Sequence, residues 1–507
     1  MERHIATWTV EEKPDAAAEV GELIIDGNSI EFYSRNCKEV FPCAFVGYDG
    51  EHKYKVFTRG QWRPGKYRTL DNSAAYAVTC VLQQNCDFPQ GMAIDGIQEV
   101  SFIIPELTDW LELQTVQCGV TEAGELLAEE IKHSPIVLNA NNPHIEIQFE
   151  SESFTKYLDK NDRTTFILKN QPRLFIVYSK ACNVNRVFAD VRAIMQFFGL
   201  MIGHVSDVED LRLVLENQRC RSWLYINQDY SYNLKTMRTM DQKRTTFDEV
   251  KCQVQGYFER WYTFYQDETF GFIRRMYFSA NDRKDMFVED ILVQYIRILE
   301  GYDLRVSKDE ETSQEVRKAI NQVEKEVKRL IFSEDGKALF TAALEKVVPD
   351  WKYNASHAGM IASWIASGYL GRKSLDDRIK ALDDQYLNII SLNARNVLSH
   401  ARRHPLAVEA SDEEAIRIFI HKIVATRNYF SHYKTEPTDV LEIIQMDDTL
   451  NVLKALIIMI WFSQMGVDKE TIRKIMVRDS ELRFQTMCLE EKVAEQKSKT
   501  RTMVWPN

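Results

Sequence analysis

Phe419-Ile420-His421-Lys422-Ile423-Val424-Ala425-Thr426-Arg427-Asn428-Tyr429-Phe430-Ser431-His432-Tyr433 reads as the end of an amphipathic helix. Ile416, Phe419, Ile420, Ile423 and Val424 recur at three- and four-residue steps, the spacing that lines one helical face with apolar side chains. The next turn of that stripe lands on Arg427. A guanidinium continuing a core face has lost much of its access to water and needs a counter-charge or an anionic ligand. Asn428 and His432 are four apart and share a ridge, with Arg427 about 100° round the axis from Asn428. Pro437 disfavours continuation of the helix, which puts His432 near the negative end of the dipole, where an imidazolium is favoured. A planar cationic fork, a carboxamide and a proton carrier active near neutral pH are the minimal parts for cleaving a phosphodiester without a metal. The alternative is a plain helix end, with Arg427 capping carbonyls or paired to a carboxylate while Asn428 and His432 bond locally.

The surrounding half of the chain is helical in pattern. From about Thr245, Val250, Val254, Phe258, Trp261 and Phe264 repeat at helical steps. Further helices are expected over Met286 to Leu299, Val316 to Phe332, Ser374 to Ile390, Asp412 to Phe430 and Thr449 to Met465, with Asp303 to Gln314 as a polar interruption, a loop or small hinge. Gly466 suits a C-cap, and Asp468 opens a last helix through Met476. Beyond about Asp479 the chain reads as charged and ends in a weakly structured tail. The first two hundred residues read instead as short strands. Leu23-Ile24-Ile25 and Ser29-Ile30-Glu31-Phe32-Tyr33 flank Asp26-Gly27-Asn28 as a hairpin. Many such runs predict an antiparallel sandwich or open barrel, closed by a helix over Val187 to Met201. The expected fold class is therefore α+β, divided as a β-rich domain at 1–240, a helical bundle at 241–480 and a tail at 481–507.

Composition sets outer limits. The 507 residues are 45% hydrophobic and 27% charged, as in ordinary globular proteins. The longest apolar run, Ala455 to Phe462, is too short to span a bilayer, and the N-terminus lacks the basic-then-apolar pattern of a secretory signal. Nine scattered cysteines without a C-x-x-C pair suit free thiols in a reducing cytosol, so a cytoplasmic location is expected. A net charge of -11 argues against a surface that coats nucleic acid. Locally the sign reverses: between Arg395 and Lys434 seven Lys/Arg stand against four Asp/Glu. Ser399-His400-Ala401-Arg402-Arg403-His404-Pro405 is a basic turn suited to phosphates, or simply a solvated loop. His133 and His144 lack metal-ligand spacing with the cysteines. His357, between Trp351 and Trp364, reads as core packing. No glycine-rich segment has the strand–loop–helix setting of a phosphate-binding loop.

The segment ending in Arg427-Asn428-Tyr429-Phe430-Ser431-His432 resembles the R-x(4–6)-H signature of HEPN domains, and more specifically the HEPN domain of the ApeA family of bacterial anti-phage proteins. Leu299-Glu300-Gly301-Tyr302-Asp303-Leu304-Arg305 and Ser374-Leu375-Asp376-Asp377-Arg378-Ile379-Lys380-Ala381-Leu382 resemble other parts of that domain. Gly21-Glu22-Leu23 and Ile103-Ile104-Pro105-Glu106-Leu107-Thr108-Asp109-Trp110-Leu111 resemble the family's N-terminal domain. Asp303 departs from the pattern, which has His there. The resemblance implies a dimeric, metal-independent endoribonuclease needing no cofactor, in which each protomer contributes Arg and His to a shared cleft. By that resemblance Arg427 would bind the scissile phosphate, His432 would exchange a proton with the 2′-hydroxyl or the departing 5′-oxygen, and Asn428 would orient one of these oxygens or hold the helix end in place. The candidate RNA contacts are Arg402, Arg403 and Tyr433, with Glu300 and Tyr302 either flanking the cleft or finishing a packed helix. Growth arrest of infected cells by RNA cleavage is the implied outcome, with the β-rich domain as the sensor of a phage-derived trigger. The rival expectation is a non-catalytic dimeric sensor or scaffold whose bundle serves for interaction.

Overall fold

The computed structural model describes the chain apart from residues 12–16, 28, 35–41, 63–73, 86–87, 89–93, 121–123, 125, 140–142, 158–163, 206–207, 217–220, 227–242, 283–285, 307–313, 346–358, 361–372, 404–408, 433–438, 480 and 491–507. The expected boundary at 240/241, His357 with its two tryptophans, His404, Tyr433 and the end of the tail lie outside the described residues. The strands are β1 (Glu2–Val10), β2 (Glu19–Asp26), β3 (Ser29–Ser34), β4 (Ala44–Tyr48), β5 (Lys53–Trp62), β6 (Ala74–Gln84) and β7 (Ile97–Ile103). After helix α1 (Glu106–Leu111) come β8 (Val116–Val120), β9 (Leu126–Glu130), β10 (Ile136–Asn139), β11 (His144–Tyr157) and β12 (Thr164–Cys182). Helix α2 (Val184–Ile202) precedes β13 (Glu209–Leu215) and β14 (Arg221–Ile226). The remaining helices are α3 (Phe247–Val250), α4 (Val254–Gln266), α5 (Glu268–Asp282), α6 (Val288–Val306), α7 (Gln314–Phe332) and α8 (Glu334–Glu345). They continue with α9 (Leu375–Gln385), α10 (Ile389–Ser399), α11 (Asp412–His432), α12 (Ile443–Gln464) and α13 (Lys469–Arg478). The fold is α+β. Contacts divide it into two compact units: Met1–Gly271 with Phe278–Met286 and Ile458–Asn507, and Phe272–Tyr277 with Phe287–Ile457.

The first unit is built on one antiparallel sheet that closes on itself at one end. β1 lies between β2 and β4, β2 pairs with β3, β3 with β6, β6 with β5, and β5 returns to β4. These six strands form a closed barrel, so the sandwich expectation gives way to the barrel. Its closure depends on the length of β6. One edge of β6 pairs with β5, while the other takes β3 at its start and β14 at its end. From β14 the sheet runs on through β13, β7, β12, β11 and β10. Alternate residues fill the barrel: Ala6, Trp8 and Val10; Leu23 and Ile25; Ile30 and Phe32; Tyr54 and Val56; Tyr76 and Val78. This is the period-two burial that a half-buried strand requires. Gly21 and Gly47 flank Trp8 on the neighbouring strands. A Cβ at Gly21 would lie 2.7 Å from the indole and one at Gly47 closer still, so the ring fits only because both positions lack a side chain.

The open part of the sheet has β10 at its edge, and that edge is covered. The Gln255 carboxamide accepts from Asn139 N at 2.8 Å and donates to Asn139 O at 2.9 Å, imitating a neighbouring strand. Trp110, Phe197, Phe198 and Phe258 pack edge-on beside α2, and Trp110 Nε1 donates to Thr245 Oγ1 at 3.0 Å. The end of the chain differs from expectation. Residues 483–490 are helical, and Leu482, Thr486 and Leu489 are buried. A buried Arg244–Asp479 ion pair holds the start of this segment. A few apolar positions among charges suffice to bury one helical face, which charge content alone concealed.

In the second unit α11 packs against α6, α9 and α10. Ser374 caps α9 in a reciprocal box with Asp377. The helix expected from Ser374 to Ile390 is broken at Tyr386–Asn388, where Leu387 and Asn388 adopt φ values of 65° and 56°. Asp383 makes the break worthwhile. Its buried carboxylate accepts from Ile390 N, Ser391 N and Ser391 Oγ at 2.7, 2.9 and 2.6 Å, capping α10. Burial pushes this carboxyl above its ordinary value against the pull of those donors. Asp303 is not in a loop: it lies within α6, buried, with Oδ2 2.6 Å from Arg378 Nη1 of α9. Of the polar run expected there, Asp303 belongs to an internal ion pair and α6 continues to Val306, while 307–313 lie outside the described residues.

Candidate functional site

α11 ends at His432, and its buried face is Ala415, Phe419, Ile420, Ile423, Val424 and Thr426. Sequence reasoning passed over Thr426, yet it is fully buried. Its hydroxyl donates to Lys422 O at 2.7 Å and accepts from Leu441 N at 2.9 Å. That bond fixes the segment entering α12 beside the last two turns of α11. Arg427 is next in the chain, half-buried, at the margin of the apolar stripe.

The guanidinium of Arg427 meets α6. Nη2 lies 2.9 Å from Glu300 Oε2, and Nη1 donates to Asn428 Oδ1 at 3.0 Å. Nε is buried with no acceptor among the described residues. The side chains of Arg427 and Glu300 retain 21% and 31% of their exposure, so the pair is reachable from solvent. One turn back along α6, Arg297 is exposed and Nη2 donates to Ser431 Oγ at 3.3 Å. His432 is exposed at the tip of the helix. By helical geometry it lies about 140° round the axis from Arg427 and ~7.5 Å further along. Asn428 thus shares a ridge with His432 and a hydrogen bond with Arg427, linking the other two candidates. Tyr302 is different: it is buried, its hydroxyl 3.0 Å from that of Tyr386, and it finishes a packed helix. Arg297 was missed in the sequence, where only its position one turn before Glu300 pointed to it.

The basic turn is held by acids of α12 and the residue before it. Glu442 accepts from the backbone N of Arg402 and of Arg403 at 3.0 and 2.9 Å. His400 Nδ1 is 2.7 Å from Asp448 Oδ2, and the buried Gln445 amide donates to Val397 O at 3.2 Å. Residues 442, 445 and 448 recur every three positions, so the first turns of α12 form one bracket for the turn. Both arginine side chains project into solvent. Leu441 and Glu442 are consecutive, so the residue bonded to Thr426 adjoins the one that holds the turn. Arg402 and Arg403 are thus linked through Glu442 and Leu441 to Thr426, the residue before Arg427. Elsewhere, His144 bonds Asn139 and Glu146, and His133 bonds Gln114 O. Among the described residues no cluster of three His, Cys, Asp or Glu is placed to hold a metal, and no helix is long and apolar enough to cross a membrane.

Known families account for most of the chain. The model for ApeA N-terminal domain 1 matches residues 3–261, and that for Apea-like HEPN matches residues 293–471, which contain Glu300, the basic turn and all of α11. No curated protein and no solved structure matches. The two matched segments stand in the order that the motifs led us to expect, and they support anti-phage defence with a nuclease-like role for the HEPN domain. The chain belongs to the ApeA family and carries an Apea-like HEPN domain in its C-terminal half.

Proposed function

We propose that the protein is an RNA-cleaving effector of anti-phage defence, acting through Arg427, Asn428 and His432 as a metal-independent endoribonuclease. The observation that carries this reading is the end of α11. A solvent-reachable guanidinium with an unsatisfied N–H is joined through Asn428 to the ridge that ends in an exposed imidazole. Arg427 binds the scissile phosphate and offsets the charge that builds on it. The 2′-oxygen attacks phosphorus, the P–O5′ bond breaks, and a 2′,3′-cyclic phosphate remains. His432 either accepts the 2′-hydroxyl proton or supplies one to the departing 5′-oxygen. DNA lacks the nucleophile and resists. Arg402 and Arg403 guide the strand through its phosphates, and Tyr433 is a further RNA contact. A homodimer through the HEPN bundle, a cytoplasmic site of action and a phage-derived trigger at the β-rich unit complete the proposal. The test is to map RNA ends during infection in cells carrying wild type, Arg427→Ala or His432→Ala. New ends bearing cyclic phosphate are expected in wild type only.

The pairing of Arg427 with Glu300 and Asn428 favours a second reading, a non-catalytic scaffold in which these residues finish a helix. Undiminished protection with both alanine variants selects it.

A further inference from the structure

We infer that Glu300 is an internal stand-in for substrate: its carboxylate occupies the phosphate-binding fork of Arg427 at rest and must be displaced for RNA to bind. The inference rests on Arg427 being the phosphate ligand proposed above. Nε–H and one Nη2–H of a guanidinium point the same way and together grip two oxygens of a carboxylate or phosphate. In this structure that edge is only half used. Glu300 Oε2 takes Nη2 at 2.9 Å, while the adjacent Nε is buried without an acceptor among the described residues. The other edge is engaged by Asn428 Oδ1. A buried donor left unpaired is costly, and a structural salt bridge optimised for stability would have satisfied it. A phosphate bridging Nε and Nη2 satisfies both. The exposure that both partners retain gives it a path in.

The local charge obeys the same logic. Arg297 lies one turn from Glu300 on α6 and Arg427 meets Glu300 from α11, with His432 at the tip of that helix. With Glu300 in place, an arriving phosphate meets a like charge on the group it must contact; with Glu300 turned away, two arginines face it. The carboxylate thus weakens RNA binding selectively at Arg427. Such a contact restrains an enzyme whose substrate is always present.

The test uses the full chain and a short single-stranded oligonucleotide with 2′-O-methyl riboses, which lacks the free 2′-hydroxyl and so reports binding alone. Glu300→Gln keeps the shape and removes the charge. Affinity is expected to rise about tenfold or more, as for relief of a like-charge contact, and the gain is expected to vanish in Glu300→Gln with Arg427→Ala. If Arg427→Ala weakens binding but Glu300→Gln fails to tighten it, the stand-in role is overturned and the nuclease reading survives. If Arg427→Ala changes neither oligonucleotide binding nor RNA cleavage, the nuclease reading goes and this inference with it. Should Glu300→Gln fail to fold, Glu300→Asp, shorter by one methylene, is read the same way: a smaller gain supports the inference and no gain overturns it.

Discussion

The side chain of Arg427 is asked to do two things that Lys does not do equally well: lie against an apolar helix face and present two parallel N–H donors. Arg427→Lys retains the charge and loses the fork. RNA cleavage is expected to fall roughly tenfold or more, with a melting temperature close to wild type. His432→Ala removes a proton carrier from an exposed position. Its cost is expected in rate, about 10²–10⁴-fold, with no loss of stability; a folded variant that cleaves at the wild-type rate ends the role assigned to His432. At this scale the sequence was informative about need and silent about partners. An arginine continuing the stripe of Phe419, Ile420, Ile423 and Val424 had to be neutralised, and it is. That Glu300 does so lay beyond reach, because 127 residues separate the two and only tertiary packing brings α6 to α11.

Helices α6 and α9 are tied by a buried charge pair, Asp303 with Arg378, each under a tenth exposed. Removing one member takes the buried counter-charge from the other: Asp303→Ala is expected to lose about 3–5 kcal/mol in denaturant unfolding, and Asp303→Ala with Arg378→Met to regain much of it. An equal loss in both variants would show that the pair is not the source. In the barrel, Asp49 accepts from Glu51 N, His52 N and Tyr54 Oη at 2.9, 2.9 and 3.1 Å. Burial raises its pKa, but these donors and His4 outweigh it and bring the carboxyl down to about 2. A depressed folded pKa stabilises above the ordinary value near 4 and loses that contribution as pH falls through 2. Denaturant midpoints of wild type and Asp49→Asn should therefore differ at neutral pH and converge between pH 4 and 2. The hairpin of β2 and β3 was legible because its pairing is local. Barrel closure was not, since joining β5 to β6 while β6 serves β3 and β14 is a matter of non-local register that alternation cannot express. The break at Tyr386–Asn388 was hidden for a similar reason. Asn388 is a residue type that tolerates left-handed backbone, but nothing marks Leu387 for it; the need comes from Asp383, whose carboxylate caps α10 only if the chain turns there.

For the whole molecule, a net charge of -11 leaves the RNA contacts proposed above to a few basic residues of the HEPN domain. Arg402→Ala and Arg403→Ala should each reduce by about one the slope of log affinity against log salt, leaving sequence preference unchanged. The helical offset between Arg427 and His432 bears on assembly. Side chains about 140° apart on one helix are not stacked and meet one phosphate within a chain only across the border of a shared patch, whereas a two-fold axis beside the helix end would bring the arginine of one protomer to the histidine of the other. If sites are shared in this way, mixing the two dead variants restores activity. A dimer of Arg427→Ala with His432→Ala has one site lacking both groups and one site intact. Random pairing of equal amounts makes half the dimers mixed, so cleavage of about a quarter of the wild-type rate is expected from two inactive proteins. Sites completed within single chains leave the mixture as inactive as its components, and that result would place the Arg427 and His432 of one chain in the same site rather than across a shared cleft.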